Sequence, residues 1–282
     1  MKLSALAPPF ECAWRQHPPP VHHSPGNAPR KAAIFGLPRR QEFRASPPRP
    51  RRWPNGWSPN QCRQFCSCAE LALNGWSCPL CRMHCLVTAG ATYEPIDEVR
   101  RLTNHSTGRL GCALADALAR AGHRVTLLLS ETALHNPRSR KVRILRFNTT
   151  RSLQQQMKGA ATLKVKAIFH VAAVSDFTVA RSRRGKIPSA ESLTLTLKPT
   201  PKIIRQLRRW HPEAFLVGWK YEVTGRPKQV VNKGLEQIKT CRTDACVMNG
   251  PAYGEGFGLV AKETKHCADE RALFRHLLTL LQ

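Results

Sequence analysis

Residues 84–130 read HCLVTAGATYEPIDEVRRLTNHSTGRLGCALADALARAGHRVTLLLS, and this stretch decides the fold. It begins and ends with strand-like runs, at 84–89 and 124–130, and the predominantly apolar run at 125–129 in the second is typical of a strand covered on both faces. Between them, the apolar residues of 108–121 recur at helical spacing, and Gly122 supplies a helix C-terminus. A strand, a helix and a second strand of these lengths predict a parallel β–α–β unit.

The same alternation continues to the end of the chain. It predicts an α/β fold, a Rossmann-like three-layer sandwich with a mostly parallel sheet. Ligands in such sheets bind at the carboxyl ends of strands, so we expect the site in the loops after residues 89, 172 and 219. The remaining predicted strands are 142–147, 166–172, 193–198, 214–219 and 244–249, and the remaining helices are 150–160, 200–210, 226–240 and 268–281.

The first 82 residues differ in composition from the rest. They hold 14 of the 22 prolines and show no sustained period of a helix or a strand. We therefore predict a disordered Pro/Arg/Cys-rich extension over 1–82 and one folded domain over 83–282. Met83 directly precedes the first strand, which suggests the hypothesis that Met83 is the native start and that residues 1–82 are not native.

The cysteines fall into two groups. The cysteines beyond residue 100 are scattered beside helix and strand patterns, as buried free thiols are, and indicate a reducing, cytoplasmic setting. Six cysteines cluster between residues 62 and 85, and two of them form a Cys-x-x-Cys step at 78–81. The cysteines at 62, 66 and 68 lack the two-residue gap that a second pair of zinc ligands usually has. A zinc site there stays an open alternative, with candidate ligands Cys62, Cys66, Cys68, Cys78, Cys81 and Cys85.

The formal net charge is +27, so phosphates of any kind are attractive partners. Nucleic acid, a nucleotide and a phosphorylated metabolite all fit, and so does a generally arginine-rich proteome. Since no aromatic-plus-basic signature or recognition helix is present, we expect no nucleic acid partner. No run of 18 apolar residues exists, so we expect no transmembrane helix and no membrane partner.

The connection from Gly90 to Gly108 is too long for an ordinary β–α loop, and long loops in compact domains are often functional. It is neither a P-loop nor a dinucleotide fingerprint, because Gly90, Gly108 and Gly111 have the wrong spacing. At its end, Ser106 and Thr107 either cap the following helix or offer hydroxyls to a phosphate. The residues alone leave both readings open.

Three stretches in this order resemble one family. Residues 88–111 resemble a Thr-Ala-Gly turn followed by Glu-Pro-Ile/Leu-Asp-x-Val-Arg and Asn-x-Ser-Ser/Thr-Gly. Residues 170–187 resemble an Ala-Ala-Val-Ala-Asp-Tyr segment followed by Lys-Ile, and residues 247–249 resemble an Ala/Val-Asn strand end. Together they are similar to phosphopantothenate–cysteine ligases, in a monofunctional form.

This resemblance implies a reaction and its reactants. A nucleoside triphosphate, CTP in most bacterial members and ATP in many eukaryotic ones, activates the carboxylate of 4'-phosphopantothenate as an acyl-nucleotide. Cysteine then attacks, which yields phosphopantothenoylcysteine and the nucleoside monophosphate for coenzyme A synthesis. The resemblance also implies Mg²⁺, no flavin, and a homodimer with active sites near the subunit interface.

Site residues carry over by position. Asn104 matches the active-site asparagine, and Lys186 matches a catalytic and nucleotide-binding lysine. Arg100 is a candidate phosphate ligand, although an ion pair with Glu94, Asp97 or Glu98 is an equal alternative. The resemblance implies nucleotide binding by Gly90, Ser106, Thr107, Gly108, Ala172, Asp176, Lys186, Trp219 and Lys220, and substrate binding by Arg100, Asn104 and Asn249.

Two other functions stay open from the residues. An NAD(P)-binding Rossmann-type oxidoreductase predicts an acidic residue near the second strand end, where Glu131 lies, but also a glycine fingerprint that is missing. A non-catalytic nucleic-acid-binding protein predicts affinity that falls steeply with salt. Lys220 differs from the common bacterial alanine, which leaves the choice between CTP and ATP open.

Overall fold

A computed structural model of the chain describes residues 82–189 and 193–282. Within these ranges, strands and helices alternate through most of the chain, as predicted. In chain order the elements are β1 (His84–Ala89), β2 (Tyr93–Pro95), β3 (Arg101–Thr103), α1 (Arg109–Arg120), β4 (Arg124–Ser130), β5 (Val142–Phe147), α2 (Thr150–Gly159), β6 (Ala167–His170), β7 (Phe177–Val179), β8 (Leu197–Pro199), α3 (Ile204–Trp210), β9 (Phe215–Tyr221), α4 (Pro227–Cys241), β10 (Ala245–Asn249), β11 (Phe257–Val260), β12 (Thr264–Cys267) and α5 (Glu270–Thr279).

The main sheet has eight strands in the order β12–β11–β10–β9–β6–β1–β4–β5. The strands from β10 to β5 pair in parallel, and β11 and β12 add antiparallel pairs at one edge. The first strand, β1, therefore lies in the middle of the parallel sheet, and β4 and β5 follow it toward one edge. The chain then crosses back to β6 on the other side of β1, and β9 to β12 follow toward the opposite edge. This confirms the predicted Rossmann-like sheet, and its direction reverses between β1 and β6, where ligands bind in such folds.

Helices cover both faces of the sheet, which explains why its central strands are apolar throughout. On one face, α1 and α5 bury Leu114, Leu118 and Leu273 against the strands. On the other face, α2 and α3 bury Leu153 and Leu207. All six residues of β1 are buried, so this strand is fixed between two cores and holds the loop that follows it.

Two short hairpins lie outside the main sheet. β2 pairs with β3, and β7 pairs with β8, both antiparallel. The predicted strand 193–198 is therefore wrong in its bounds and place, because only Leu197–Pro199 form a strand, and it pairs with β7. The sequence alternates apolar and polar residues over 193–198, a strand period that runs into β8, whereas β2, β3 and β7 are too short to establish one.

The described cysteines are buried and free, as expected for core thiols: Cys85, Cys112, Cys241, Cys246 and Cys267. Cys85 lies inside β1, where burial raises the pKa of its thiol to about 12. It is a core side chain and not a zinc ligand, which corrects one member of the candidate zinc cluster.

Several other expectations fall on residues 1–81. The remaining five cysteines of the candidate zinc cluster and nearly all of the predicted extension lie outside the described residues. In the described ranges, no helix is long and apolar enough to cross a membrane.

Candidate functional site

A large cleft opens at the carboxyl ends of β1, β6 and β9, with a volume of about 1190 Å³. This is larger than most pockets for a single small ligand, so it has room for a nucleotide together with a second substrate. Most residues predicted from the sequence line it: Gly90, Asn104, Ser106, Thr107, Gly108, Ala172, Asp176, Trp219, Lys220 and Asn249.

The loops after β1 and β6 are joined to each other by backbone hydrogen bonds. The Thr92 amide donates to the Ala173 carbonyl at 3.1 Å, and the Ala173 amide donates to the Gly90 carbonyl at 2.9 Å. Asn104 joins the same seam, because its side-chain Nδ2 donates to the Val174 carbonyl at 3.2 Å. Asn104 is exposed at the floor of the cleft, and this bond sets the direction of its amide.

Three glycines converge where β1 meets α1. Gly90 and Gly108 have φ values of +87° and +78°, which favour glycine, and an added Cβ on Gly108 would lie 3.5 Å from the Gly90 amide nitrogen. Gly111 packs directly on β1, since its added Cβ would lie 2.5 Å from Ala89 Cβ. These roles are those of the dinucleotide fingerprint, a tight turn, close ligand approach and helix–strand packing, although a long insertion separates the first glycine from the others.

The N-terminus of α1 points its amides into this cleft. Gly108 is its N-cap residue and no side chain caps the helix. Thr107 Oγ1 accepts only a long bond of 3.4 Å from the Arg109 amide, and the helical ladder begins with the Cys112 amide donating to Gly108. Of the two readings left open for Ser106 and Thr107, the structure does not show the helix cap, so the first amides of α1 are available to an anion.

The cleft carries more positive than negative side chains. Its described lining has five cations, Arg109, Lys202, Arg205, Lys220 and Lys233, against the carboxylates of Asp176, Glu222 and Glu236. This excess and the free end of α1 favour a polyphosphate ligand.

Asp176 forms an ion pair with a lysine that lines the same cleft. Lys202 Nζ lies in direct contact with Asp176 Oδ1, and both side chains are more than half exposed. The Thr200 amide holds the Asp176 carbonyl at 2.9 Å, so the carboxylate projects from a fixed backbone. Lys202 was missed from the sequence, since only the fold brings the start of α3 to the end of β6.

The far wall of the cleft is built by β9 and α4. Glu222 accepts from Lys233 Nζ at 2.5 Å and lies 3.6 Å from Lys220 Nζ. Burial alone would raise the pKa of Glu222, but these two ammonium groups outweigh it and lower the pKa. Trp219 precedes Lys220 in β9, is half-buried against the core on the side of α1 and α5, and has a buried indole Nε1 with no hydrogen-bond partner among the described residues. The cleft lining therefore includes both an aromatic side chain and a group of fixed charges.

His170 ends β6 and was also missed. It is 6% exposed, and its Nδ1 lies 3.0 Å from Thr88 Oγ1. Burial lowers the pKa of His170 to about 4, so the ring is neutral at neutral pH. A neutral imidazole adds no charge to this region of the cleft.

Two predicted residues do not line this cleft. Lys186 is exposed on the segment between β7 and β8. Arg100 is held elsewhere, because its Nη1 donates to Asp97 Oδ2 at 2.5 Å and to the Ile187 carbonyl at 3.1 Å. Of the two alternatives for Arg100, the structure favours the ion pair, and a direct role in this chain's own cleft is not supported.

Among the described residues, no three metal-binding side chains are clustered. Of the three carboxylates that line the cleft, Asp176 lies on the segment that follows β6. Mg²⁺ commonly binds through one or two carboxylates, substrate phosphates and water, so a single carboxylate at this position fits that ion.

Known proteins show the same domain. A relative from Thermococcus kodakarensis, the coenzyme A biosynthesis bifunctional protein CoaBC, is 34% identical over 165 residues, which cover 58% of this chain and 40% of the relative. The chain spans about two fifths of the length of this relative and of a second CoaBC protein, from Methanocaldococcus jannaschii.

Solved structures agree on the fold. The DNA/pantothenate metabolism flavoprotein from Streptococcus pneumoniae is 27% identical with a TM-score of 0.64, and the match covers 71% of this chain and 98% of that one. A Cab2 mutant in complex with phosphopantothenate-cysteine is 19% identical with a TM-score of 0.60, and covers 76% of this chain and 88% of that one.

The model of one protein family matches residues 80–272, which is most of the chain and all of the cleft. The matched region contains the β1–α1 loop, the Asp176 strand end and the Trp219 wall. This chain therefore belongs to the family of the DNA/pantothenate metabolism flavoprotein C-terminal domain.

Proposed function

We propose that this chain is a ligase that joins 4'-phosphopantothenate to cysteine through an acyl-nucleotide, in coenzyme A biosynthesis. The observation that carries the proposal is the cleft between β1 and β6. It combines an uncapped helix N-terminus, an excess of cations and the exposed amide of Asn104, within a domain whose relatives are coenzyme A biosynthesis proteins.

The first half-reaction forms the acyl-nucleotide. A carboxylate oxygen of phosphopantothenate attacks the α-phosphorus of the nucleoside triphosphate, and pyrophosphate leaves. The free amides at the start of α1 and the hydroxyl of Thr107 bind phosphate oxygens, and Gly108 lets them approach closely. Lys202 offsets the charge of the leaving pyrophosphate. Asp176 would hold Mg²⁺, which would supply further neutralisation of phosphate charge when bound.

The second half-reaction forms the amide. The amine of cysteine attacks the acyl carbon, the nucleoside monophosphate leaves, and the amine loses a proton. Negative charge develops on the acyl oxygen, and Asn104 Nδ2 donates to it in place of its present acceptor, the Val174 carbonyl. Because an amide gives no proton away, this stabilisation does not depend on pH in the physiological range.

The base of the nucleotide lies against the far wall. Trp219 stacks on the base, Ala172 allows it to approach the backbone, and Lys220 and Asn249 lie at the rim. CTP and ATP are both candidates, and steady-state rates with each nucleotide at equal concentration distinguish them.

Pyrophosphate release tests the proposal. The full chain with Mg²⁺, CTP or ATP, and phosphopantothenate should release pyrophosphate, and omission of phosphopantothenate should abolish the release. Asn104→Ala should still release pyrophosphate but make little amide, so that the acyl-nucleotide accumulates. No release with either nucleotide would end the proposal, and normal amide formation by Asn104→Ala would refute the role of Asn104.

We also propose that the chain acts as a homodimer. The side hairpins expose large apolar side chains, Val99 at 60%, Phe177 at 50% and Leu197 at 43%, which a second copy would cover. Lys186 lies on the segment that joins the β7–β8 hairpin and does not line its own cleft, so it would serve the cleft of the partner.

Mixing two variants that are each impaired in amide formation tests this arrangement. When Asn104→Ala and Lys186→Ala are refolded together, amide formation should recover, because each mixed dimer then contains one intact site. Recovery should be absent if Lys186 serves its own cleft, and sedimentation of a monomer at working concentration would exclude the dimer. The proposals of a flavin-free enzyme and of a cytoplasmic location are tested by the visible absorbance of the purified protein and by cell fractionation.

A further inference from the structure

The turn between β2 and β3 holds a carboxylate with an unusual number of donors. Asp97 is 4% exposed and accepts hydrogen bonds from the amides of Val99, Arg100 and Ile187, at 2.9, 2.7 and 3.0 Å. The Arg100 guanidinium adds a fourth bond. Burial alone would raise the pKa of Asp97, but these donors outweigh it and hold the pKa well below its ordinary range. Asp97 is therefore ionised and fully bonded.

The same two side chains grip one residue of a distant segment. Asp97 Oδ2 accepts from the Ile187 amide, while Arg100 Nη1 donates to the Ile187 carbonyl. Both peptide groups of Ile187 are thus bound across a separation of about ninety residues in sequence. A third bond, from the Arg183 amide to the Ile96 carbonyl at 3.1 Å, fixes the same segment to the same turn.

The gripped segment has little structure of its own. Residues 181–189 contain no helix or strand, and Gly185 adopts a φ of +73°. Residues 181–186 contain no carboxylate and four cationic side chains, those of Arg181, Arg183, Arg184 and Lys186. These like charges repel one another and do not stabilise a compact conformation of the segment. Its course therefore depends on the contacts that the turn supplies.

We propose that Asp97 and Arg100 form a clamp on the Ile187 peptide and act as positioning residues for Lys186. This inference rests on the proposed ligase function, in which Lys186 handles phosphates. It changes the role expected for Arg100: the guanidinium contacts no substrate and acts only through the segment that it holds. Because the clamp binds backbone atoms, it places Lys186 without constraining the lysine side chain.

Trypsin tests the clamp without any activity measurement. Arg100→Gln and Asp97→Asn should accelerate cleavage after Arg183, Arg184 and Lys186, by roughly tenfold or more, since a lost charge-assisted hydrogen bond shifts local opening by that factor. Arg101→Gln is the matched control, because Arg101 stacks on Tyr93 at 4.3 Å and does not touch Ile187. Equal cleavage rates in Arg100→Gln and the unmodified chain would overturn the clamp.

Activity separates a positioning role from a substrate contact. Arg100→Gln should lower the rate of pyrophosphate release, and adding it to Lys186→Ala should cause no further loss, because Arg100 acts through Lys186. An additional loss of about tenfold or more, together with a raised KM for phosphopantothenate only, would identify Arg100 as a substrate ligand and overturn the proposal.

Hydrogen exchange on the unmodified chain tests the clamp even if the substituted proteins fail to fold. In the unmodified chain, the Ile187 amide should be protected from exchange, and exchange at the rate of an unstructured peptide would refute the clamp. If the unmodified chain releases no pyrophosphate but the trypsin and exchange results hold, the ligase proposal fails and the clamp stands as a structural feature.

Discussion

Substituting Gly111 by alanine should destabilise the protein by forcing α1 away from β1. The added Cβ would lie 2.5 Å from Ala89 Cβ and 3.2 Å from both Ala89 Cα and the Thr88 carbonyl oxygen. Carbon atoms in contact normally lie about 3.5–4.0 Å apart, so the helix must move by roughly 1 Å. None of these neighbours is the end of a flexible side chain, and the strain cannot be relieved by a rotamer change.

The cost follows from two opposing terms. Overpacking costs about 1–3 kcal/mol, and the better helix propensity of alanine returns up to about 1 kcal/mol. The free energy of unfolding should therefore fall by about 1–2 kcal/mol, and Tm by roughly 3–6 °C for a domain of this size. Since the start of α1 also binds phosphate in the proposed function, the KM for the nucleotide should rise.

Gly159→Ala is the matched control for this measurement by thermal unfolding. Gly159 is the last residue of α2, has helical backbone angles, and would bring its Cβ within 4 Å of no other atom. It should raise Tm slightly or leave it unchanged. A Gly111→Ala protein as stable as the unmodified chain would show that α1 does not pack on β1 this closely.

Two further predictions concern stability. Arg208→Ala should lower the free energy of unfolding in urea by about 2–3 kcal/mol, because the Arg208 guanidinium donates to Asp244 and to three carbonyl oxygens. Arg209 is exposed, so the control Arg209→Ala should change the free energy of unfolding by no more than about 0.5 kcal/mol. Equal effects of the two substitutions would refute this role of Arg208. His170→Gln should flatten the pH dependence of stability: the pKa of His170 falls from 6.5 to about 4 on burial, so its contribution is present above pH 6.5 and is lost as pH falls toward 4, by on the order of 3 kcal/mol. Unchanged slopes of Tm against pH in that window would contradict it.

The parallel sheet was predictable because burial on both faces leaves a clear record in the sequence. The runs at 84–89 and 124–130 match β1 and β4 to the residue, and both strands are buried almost throughout. The run at 142–147 also matches β5 to the residue, although this edge strand is mostly exposed. The side hairpins were predictable only in part, because the alternating run at 193–198 predicts a strand that overlaps β8, whereas the three-residue strands β2, β3 and β7 carry no period. The antiparallel strands β11 and β12 follow a polar, glycine-rich stretch, and their pairing is decided by the edge of the sheet that they meet.

The site was predictable only in part. Loops at the carboxyl ends of parallel strands must meet, so Asn104, Asp176 and Trp219 line one cleft as expected. The pairing of Asp176 with Lys202 was not predictable from the sequence. Ion pairs between distant segments are tertiary contacts, and nothing in the spacing of the residues marks them.

The pairing of Arg100 shows the same limit. Its carboxylate partner lies three residues away and was among the candidates, because neighbours in a turn are brought together by the local chain. The carbonyl of Ile187 was not, since that contact exists only after β2, β3 and the segment before β8 have docked. Partners a few residues apart can thus be predicted from the sequence, whereas the contacts that position the segment around Lys186 can be identified only from the folded structure.

Ligase activity is tested most directly by the mass of the product. The full chain should be incubated with 4'-phosphopantothenate, isotopically labelled cysteine, Mg²⁺ and either CTP or ATP, and the mixture analysed by mass spectrometry. We predict labelled phosphopantothenoylcysteine and one equivalent each of nucleoside monophosphate and pyrophosphate, with at least one of the two nucleotides. Intact nucleotide and unconsumed phosphopantothenate with both nucleotides would contradict the proposed function.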